Sequence, residues 1–173
     1  MKININMGHT KHGAGSGAIS GKFNESEIVR LVGAELMRLL KLKGHTVTNS
    51  TVDNAPTQNA YLQEVVRKVN IAEPDLFLSI HCNASTNHTG HGVEVFTYKG
   101  RKLDKAVHIC YELSRLGFKN RGIKDGSNLY VIRNTTAPAI LIELFFLDNA
   151  TDQAIYTKNG YMGIAKAIAE AIG

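Results

Sequence analysis

Two histidines and two glutamates occupy positions where side chains could act together. His9 follows the alternating run Lys2 to Met7, His81 follows the apolar run Leu76-Phe77-Leu78-Ser79-Ile80, and Glu143 closes Ala139-Ile140-Leu141-Ile142. Glu25 opens a helix-periodic segment just after a glycine-rich stretch. Two histidines and one carboxylate form a set that holds a catalytic zinc with one position left open. Such an ion brings the pKa of its water close to neutrality. A further carboxylate would then carry a proton from that water to a leaving group. The residue types do not by themselves divide these two carboxylate roles between Glu25 and Glu143.

Each residue also has a plainer explanation. A lone histidine after a strand is commonly a surface or capping group, and a glutamate in a first helical turn complements the helix dipole. Glu143 resists that treatment, because a carboxylate flanked by Leu141, Ile142, Leu144, Phe145 and Phe146 is costly to bury without a partner. His9 with His12, and His88 with His91, are spaced three apart, but both pairs fall in polar loops. No His-Glu-x-x-His helix is present, and Gly13-Ala14-Gly15-Ser16-Gly17 neither follows an apolar strand nor opens a helix. A hydrolase elbow or a phosphate loop is therefore not expected.

The elements that must position these residues alternate along the chain. The patterning predicts a strand over 2–7, a long loop over 8–24, a helix over 25–43 capped by Asn24, and extended chain at 45–48. A helix over 57–72, a buried strand at 76–80, a polar loop at 83–90 and a strand at 92–98 come next. A helix over 102–117, short strands at 128–132 and 139–143, and a helix over 160–172 complete the chain. This rhythm predicts a single α/β domain over 1–173, a twisted and mostly parallel sheet of about five to six strands with helices on both faces. In such sheets ligands bind outside the carboxyl ends of the strands, where His9, His81 and Glu143 would converge.

Composition narrows the partners. With 173 residues, 43% hydrophobic and 20% charged, the chain is long enough for one core and is not a disordered sequence. The net charge of +5 favours an anionic partner, a nucleic acid or an anionic surface such as a cell wall. Nucleic acid is disfavoured, because tryptophan is absent and basic and aromatic residues do not interleave. No apolar run is long enough for membrane insertion, and the N-terminal residues lack the apolar stretch of a signal peptide. Cys82 and Cys110 match no redox or zinc spacing, which predicts reduced, buried thiols.

Four segments together resemble the zinc N-acetylmuramoyl-L-alanine amidases of the Amidase_3 family, in particular the amidase domains of phage endolysins from clostridia and related hosts. They are Met7-Gly8-His9-Thr10, Phe23-Asn24-Glu25, Ser79-Ile80-His81-Cys82-Asn83-Ala84-Ser85 and Leu141-Ile142-Glu143-Leu144-Phe145-Phe146-Leu147-Asp148-Asn149. Lys43-Gly44-His45-Thr46-Val47 lies between the second and third, and the likeness covers nearly the whole chain. Two departures stand out: Asn6-Met7-Gly8-His9 replaces the Asp-Pro-Gly-His of many relatives, and Thr48-Asn49-Ser50-Thr51 lacks their arginine.

The resemblance implies zinc held by His9, Glu25 and His81, with Glu143 as the catalytic carboxylate. Glu25 is preferred to Glu27 because it directly follows Asn24. The implied reaction cleaves the amide between N-acetylmuramic acid and L-alanine in bacterial peptidoglycan. Asn83, Arg133 and Asn134 are expected to contact the substrate, and the loops 11–22 and 83–90 to wall the groove. The expected setting is an endolysin held in the host cytoplasm before release, with a possible C-terminal wall-binding region outside this chain. A host autolysin or sporulation amidase would use the same chemistry. A wall-binding module without catalysis is the alternative of another class, and it would not need all four residues.

Overall fold

The computed structural model describes all 173 residues. Its strands are β1 (Lys2–Met7), β2 (Ile19–Ser20), β3 (Phe23–Asn24), β4 (Thr46–Asn49), β5 (Leu76–Asn83), β6 (Val93–Thr97), β7 (Asn120–Asp125) and β8 (Ala139–Phe146). The helices are α1 (Glu25–Leu42), α2 (Gln58–Ala72), α3 (Asp104–Arg115), α4 (Tyr130–Asn134) and α5 (Ala150–Ile172). Six strands form one sheet in the order β4-β1-β5-β8-β6-β7. Every pairing in it is parallel except β6 with β8, as expected for an α/β domain. No helix is long and apolar enough to cross a membrane.

Strand alternation sends successive side chains to opposite faces, and here the two faces differ sharply. One face carries Ile3, Ile5, Leu78, Ile80, Val95 and Ile142, which join α1, α3 and α5 in a core of 31 buried residues. The other carries Asn4, Asn6, Phe77, Ser79, His81, Leu141 and Glu143, and is covered only by α2 and α4 around 11 buried residues. The polar residues of this second face lie toward the carboxyl ends of β1, β5 and β8.

Several boundaries differ from the sequence expectation. Residues 128–132 are not a strand but a turn leading into α4, whose Val131 and Ile132 pack against Phe77 and Leu141. The strand missing from that expectation is β7, an edge strand of sequence Asn-Arg-Gly-Ile-Lys-Asp with a single apolar residue. The expected long loop at 8–24 contains the two-residue ladder β2–β3. Helix α5 starts at Ala150, with Asn149 accepting from the N–H groups of Thr151 and Asp152, and bends at Gly160. The predicted helix at 160–172 is its second limb.

Strands β5 and β8 also run further than expected, to Asn83 and Phe146. His81 therefore lies within β5 rather than beyond it, and is the register partner of Glu143 on the adjacent strand. Both cysteines are free and buried, as their spacing implied.

Candidate metal and catalytic site

Three of the predicted residues meet at the end of β1 and β5. His9 Nε2 lies 2.9 Å from Glu25 Oε1, His81 Nδ1 lies 3.3 Å from the same oxygen, and the two nitrogens are 3.2 Å apart. Glu25 opens α1, and Asn24 caps that helix by accepting from the Glu27 N–H. Glu27, the rival carboxylate, contributes its backbone to this cap and is no part of the His-Glu-His group.

Main-chain groups aim two members of the triangle, His9 and Glu25. In the neutral ring His9 Nδ1 donates to the Gly15 carbonyl at 2.9 Å, which leaves the Nε2 lone pair facing the other two donors. Glu25 Oε2 accepts from the Ala18 N–H at 3.0 Å, and Oε1 accepts from the Cys82 N–H at 2.9 Å. His9 itself has a positive φ of 64°, which is uncommon for a residue with a side chain. Arg30 holds that conformation from behind. It donates to the carbonyls of His9 (3.0 Å) and Ser26 (2.8 Å), and to Asp53 Oδ1 at 2.6 and 3.0 Å.

Two glycines give the histidines room. A Cβ on Gly8 would fall 2.3 Å from the His81 ring. One on Gly17, whose φ is +84°, would fall 2.9 Å from Glu25 Oε2 and 3.0 Å from the His9 ring.

Burial pushes the Glu25 carboxyl up, but hydrogen bonds and charge from His81 and His9 outweigh it and hold the group far below the usual carboxylate range. For His9, burial pulls the pKa down, but hydrogen bonding to Glu25 outweighs it and the value is raised. For His81 burial prevails and the pKa is lowered. Two half-buried imidazoles converging on one buried carboxylate are the donor types that a borderline-soft divalent cation takes. Donors at zinc's bond lengths around a tetrahedral ion stand roughly 3.3–3.5 Å apart. The observed triangle is within a few tenths of an ångström of that, so these residues fit a zinc ion.

Glu143 extends from β8 beside His81. Its Oε2 is buried and has no hydrogen-bond partner. Burial, then the charges of Glu25 and Glu94, push its pKa well above the usual range. Glu94 is its register partner on β6, and Arg121 and Asn83 engage it at 2.7 Å each. A carboxyl raised in this way is suited to accept and release a proton near neutral pH.

The cavity over these four residues measures about 510 Å³. Gly17, Ala18 and Ala84 supply the expected loop walls, while Gln58, Leu62 and the turn Asn128 to Val131 supply walls the sequence reading missed. Buried Tyr61 also lines it, with a hydroxyl that has no partner. The three residues expected to contact substrate are not among those that line this cavity. Asn83 is bonded to Glu94 and to the Ala84 N–H, Arg133 lines a separate hollow, and Asn134 donates to the Tyr130 carbonyl. No sequence signal marks Arg30 or the 128–131 segment, because each acts through tertiary placement.

Known proteins resemble this chain along nearly its whole length. The family model described as N-acetylmuramoyl-L-alanine amidase, Amidase_3, matches residues 3–173. The chain belongs to this amidase family. Among solved structures it is similar to the catalytic domain of CD27L, an endolysin targeting Clostridium difficile, with 36% identity and a TM-score of 0.90 over 99% of this chain and 96% of that one. The endolysin of Bacillus phage SPP1 is 30% identical over 97% of this chain and 63% of its own length. An uncharacterized Clostridium perfringens protein is 34% identical over 99% of this chain. The amidase-family chain spans about half the length of that relative, at 51%.

Proposed function

We propose that this chain is a zinc-dependent endolysin-type hydrolase that cuts the amide bond between N-acetylmuramic acid and L-alanine in bacterial peptidoglycan. One observation carries the reading: the His9–Glu25–His81 triangle lies beside Glu143, whose raised, unpartnered carboxyl opens on the same cavity. His9, Glu25 and His81 hold the ion. When bound, zinc supplies a Lewis acid for the scissile carbonyl and makes a water acidic enough to attack at neutral pH.

The chain's own residues perform the remaining tasks. Glu143 takes the proton from the attacking water as the new C–O bond forms, and gives it to the alanine nitrogen as the C–N bond breaks. Burial of the Glu143 carboxyl favours its protonated form midway through the reaction. Buried Leu141 and Val131, with half-buried Leu62 and Leu129, limit water around the reacting bond. Gln58, Asn128 and Tyr130 on the rim are the polar groups placed to meet the peptide stem.

The test is hydrolysis of purified Gram-positive walls with and without a chelator, scored for new N-terminal alanine and for new reducing sugar. Alanine amino groups should appear, vanish with chelator and return with zinc. Reducing ends in their place would assign a different bond.

A further inference from the structure

The positive charge of this chain is unevenly distributed. Nine of its 20 lysines and arginines lie between residues 99 and 133, against three of its 15 acidic residues, so this segment carries +6 and all the rest together −1. The segment holds α3, the edge strand β7 and most of α4, and so places its charge around the β8-β6-β7 end of the sheet. Arg121 is spent on Glu94 and Arg115 on Glu112. Lys105 is turned to the carbonyl of Ile172. Lys99, Arg101, Lys102, Lys119, Lys124 and Arg133 take no part in the ion pairs of the fold. Asp125, the acid beside Lys99, is occupied by the hydroxyl and N–H of Ser127 at 2.6 and 2.8 Å.

Arg101 and Arg133 line a hollow of about 340 Å³ between the end of β6, the end of α4 and the start of β8. Helix α4 separates this hollow from the metal cavity: Tyr130 and Val131 face the cavity, while Ile132 and Arg133 face the hollow. Along β8 the hollow reaches Ala139 and the cavity begins at Leu141, roughly 7 Å apart at the rise of a strand. Unpaired guanidinium groups suit phosphate oxygens, which they can engage through two parallel hydrogen bonds.

We infer that this surface, centred on Arg101 and Arg133, binds a phosphodiester-linked polyol polymer of the Gram-positive wall and holds the enzyme on the wall while the metal cavity works. The choice of polymer rests on the proposed amidase function. A nucleic acid fits less well, because Tyr98 is the only ring lining the hollow and successive bases need a series of stacking surfaces. The polymer's evenly spaced charges need only the cations, and its binding should weaken steeply with salt.

The experiment measures binding with chelator present, so that hydrolysis plays no part. A poly(glycerol phosphate) oligomer is titrated into the chain, and sedimentation with walls is compared before and after hydrofluoric acid removes their phosphodiester polymers. The variant R101Q/R133Q is set against R38Q/R67Q, which removes the same charge from residues paired with Glu35 and Glu64. R101Q/R133Q should weaken oligomer binding by about tenfold or more, since it removes two phosphate contacts. R38Q/R67Q should stay within about twofold, and stripped walls should retain little protein. Equal weakening in both variants, undiminished binding to stripped walls, or tighter binding of DNA of matched charge would each overturn the assignment. Binding intact in a chain that releases no alanine would instead count against the amidase reading alone.

Discussion

The two faces of the sheet are built from the same strands to opposite ends. On β8, Ile142 is sealed under α1, α3 and α5, while its neighbour Glu143 opens on the metal cavity with an oxygen that nothing engages. On β5, Ile80 and His81 divide in the same way. The thick face removes apolar surface from water, the main favourable contribution to folding. The thin face accepts buried asparagines, clustered carboxylates and a histidine of positive φ, each a cost to stability. Stability and chemistry are separated by one residue of strand alternation.

Replacing the neighbours Ile142 and Glu143 in turn should produce the largest contrast. Ile142→Ala should lower stability by about 2–5 kcal/mol, the usual range for a sealed aliphatic side chain, while metal affinity in the remaining folded protein is kept. Glu143→Gln should cost about 10²–10⁴ in turnover with zinc still bound. Its metal-free melting temperature should stay level or rise, because a carboxyl pushed up by burial and by Glu25 and Glu94 is relieved of charge. Wall hydrolysis and calorimetry on both variants check this. A drop in melting temperature for Glu143→Gln would show that the thin face also stabilises the fold.

A smaller effect tests what holds the thin face in shape. Arg30→Met removes the grip on the carbonyls of His9 and Ser26, and should weaken zinc affinity roughly 10–100-fold, the range for supporting groups around a metal. Competition against a chromogenic chelator measures it. An unchanged affinity would mean that the bonds inside the loop, from Thr10 to Ala14 and Gly15, suffice alone.

The smallest effect is at the loop beside the cavity, where His88 Nδ1 and Asp148 Oδ2 meet at 2.7 Å. Burial pushes Asp148 up, but His88 and the Ser85 N–H outweigh it and hold the group below its ordinary 3.8. The stabilisation is thus complete above that ordinary value and is lost as pH falls through the lowered one. His88 is largely exposed, so the pair contributes about 1 kcal/mol at most. Hydrogen-exchange protection over residues 84–90, corrected for the intrinsic rate at each pH, should fall below about pH 4, and His88→Gln should remove part of that change.

The legibility of the sequence follows the same division. Apolar periodicity marked β1, β5, β8, α1 and α2, and the polar residues at their ends pointed to His9, Glu25, His81 and Glu143. The pattern failed where burial is slight or local preference misleads. Edge strand β7 has only Ile123 to bury, so it shows no alternation. The segment Leu129-Tyr130-Val131-Ile132 has the composition of a strand, yet it is a turn and short helix that closes the thin face. The walls of the cavity, Gln58 and the 128–131 turn, were hidden because they come from segments with no chemical signature of their own.

The restraints on His9 and Glu25 come largely from main-chain groups: the Gly15 carbonyl for His9, and the Ala18 and Cys82 N–H groups for Glu25. Every residue but proline offers such groups. Alanine at 18 and cysteine at 82 can therefore be exchanged for other residues over evolutionary time without loss of the bonds that hold Glu25. His9 and Glu25 are thereby insulated from drift around them, and lineages can rewrite those neighbouring side chains while inheriting the same geometry.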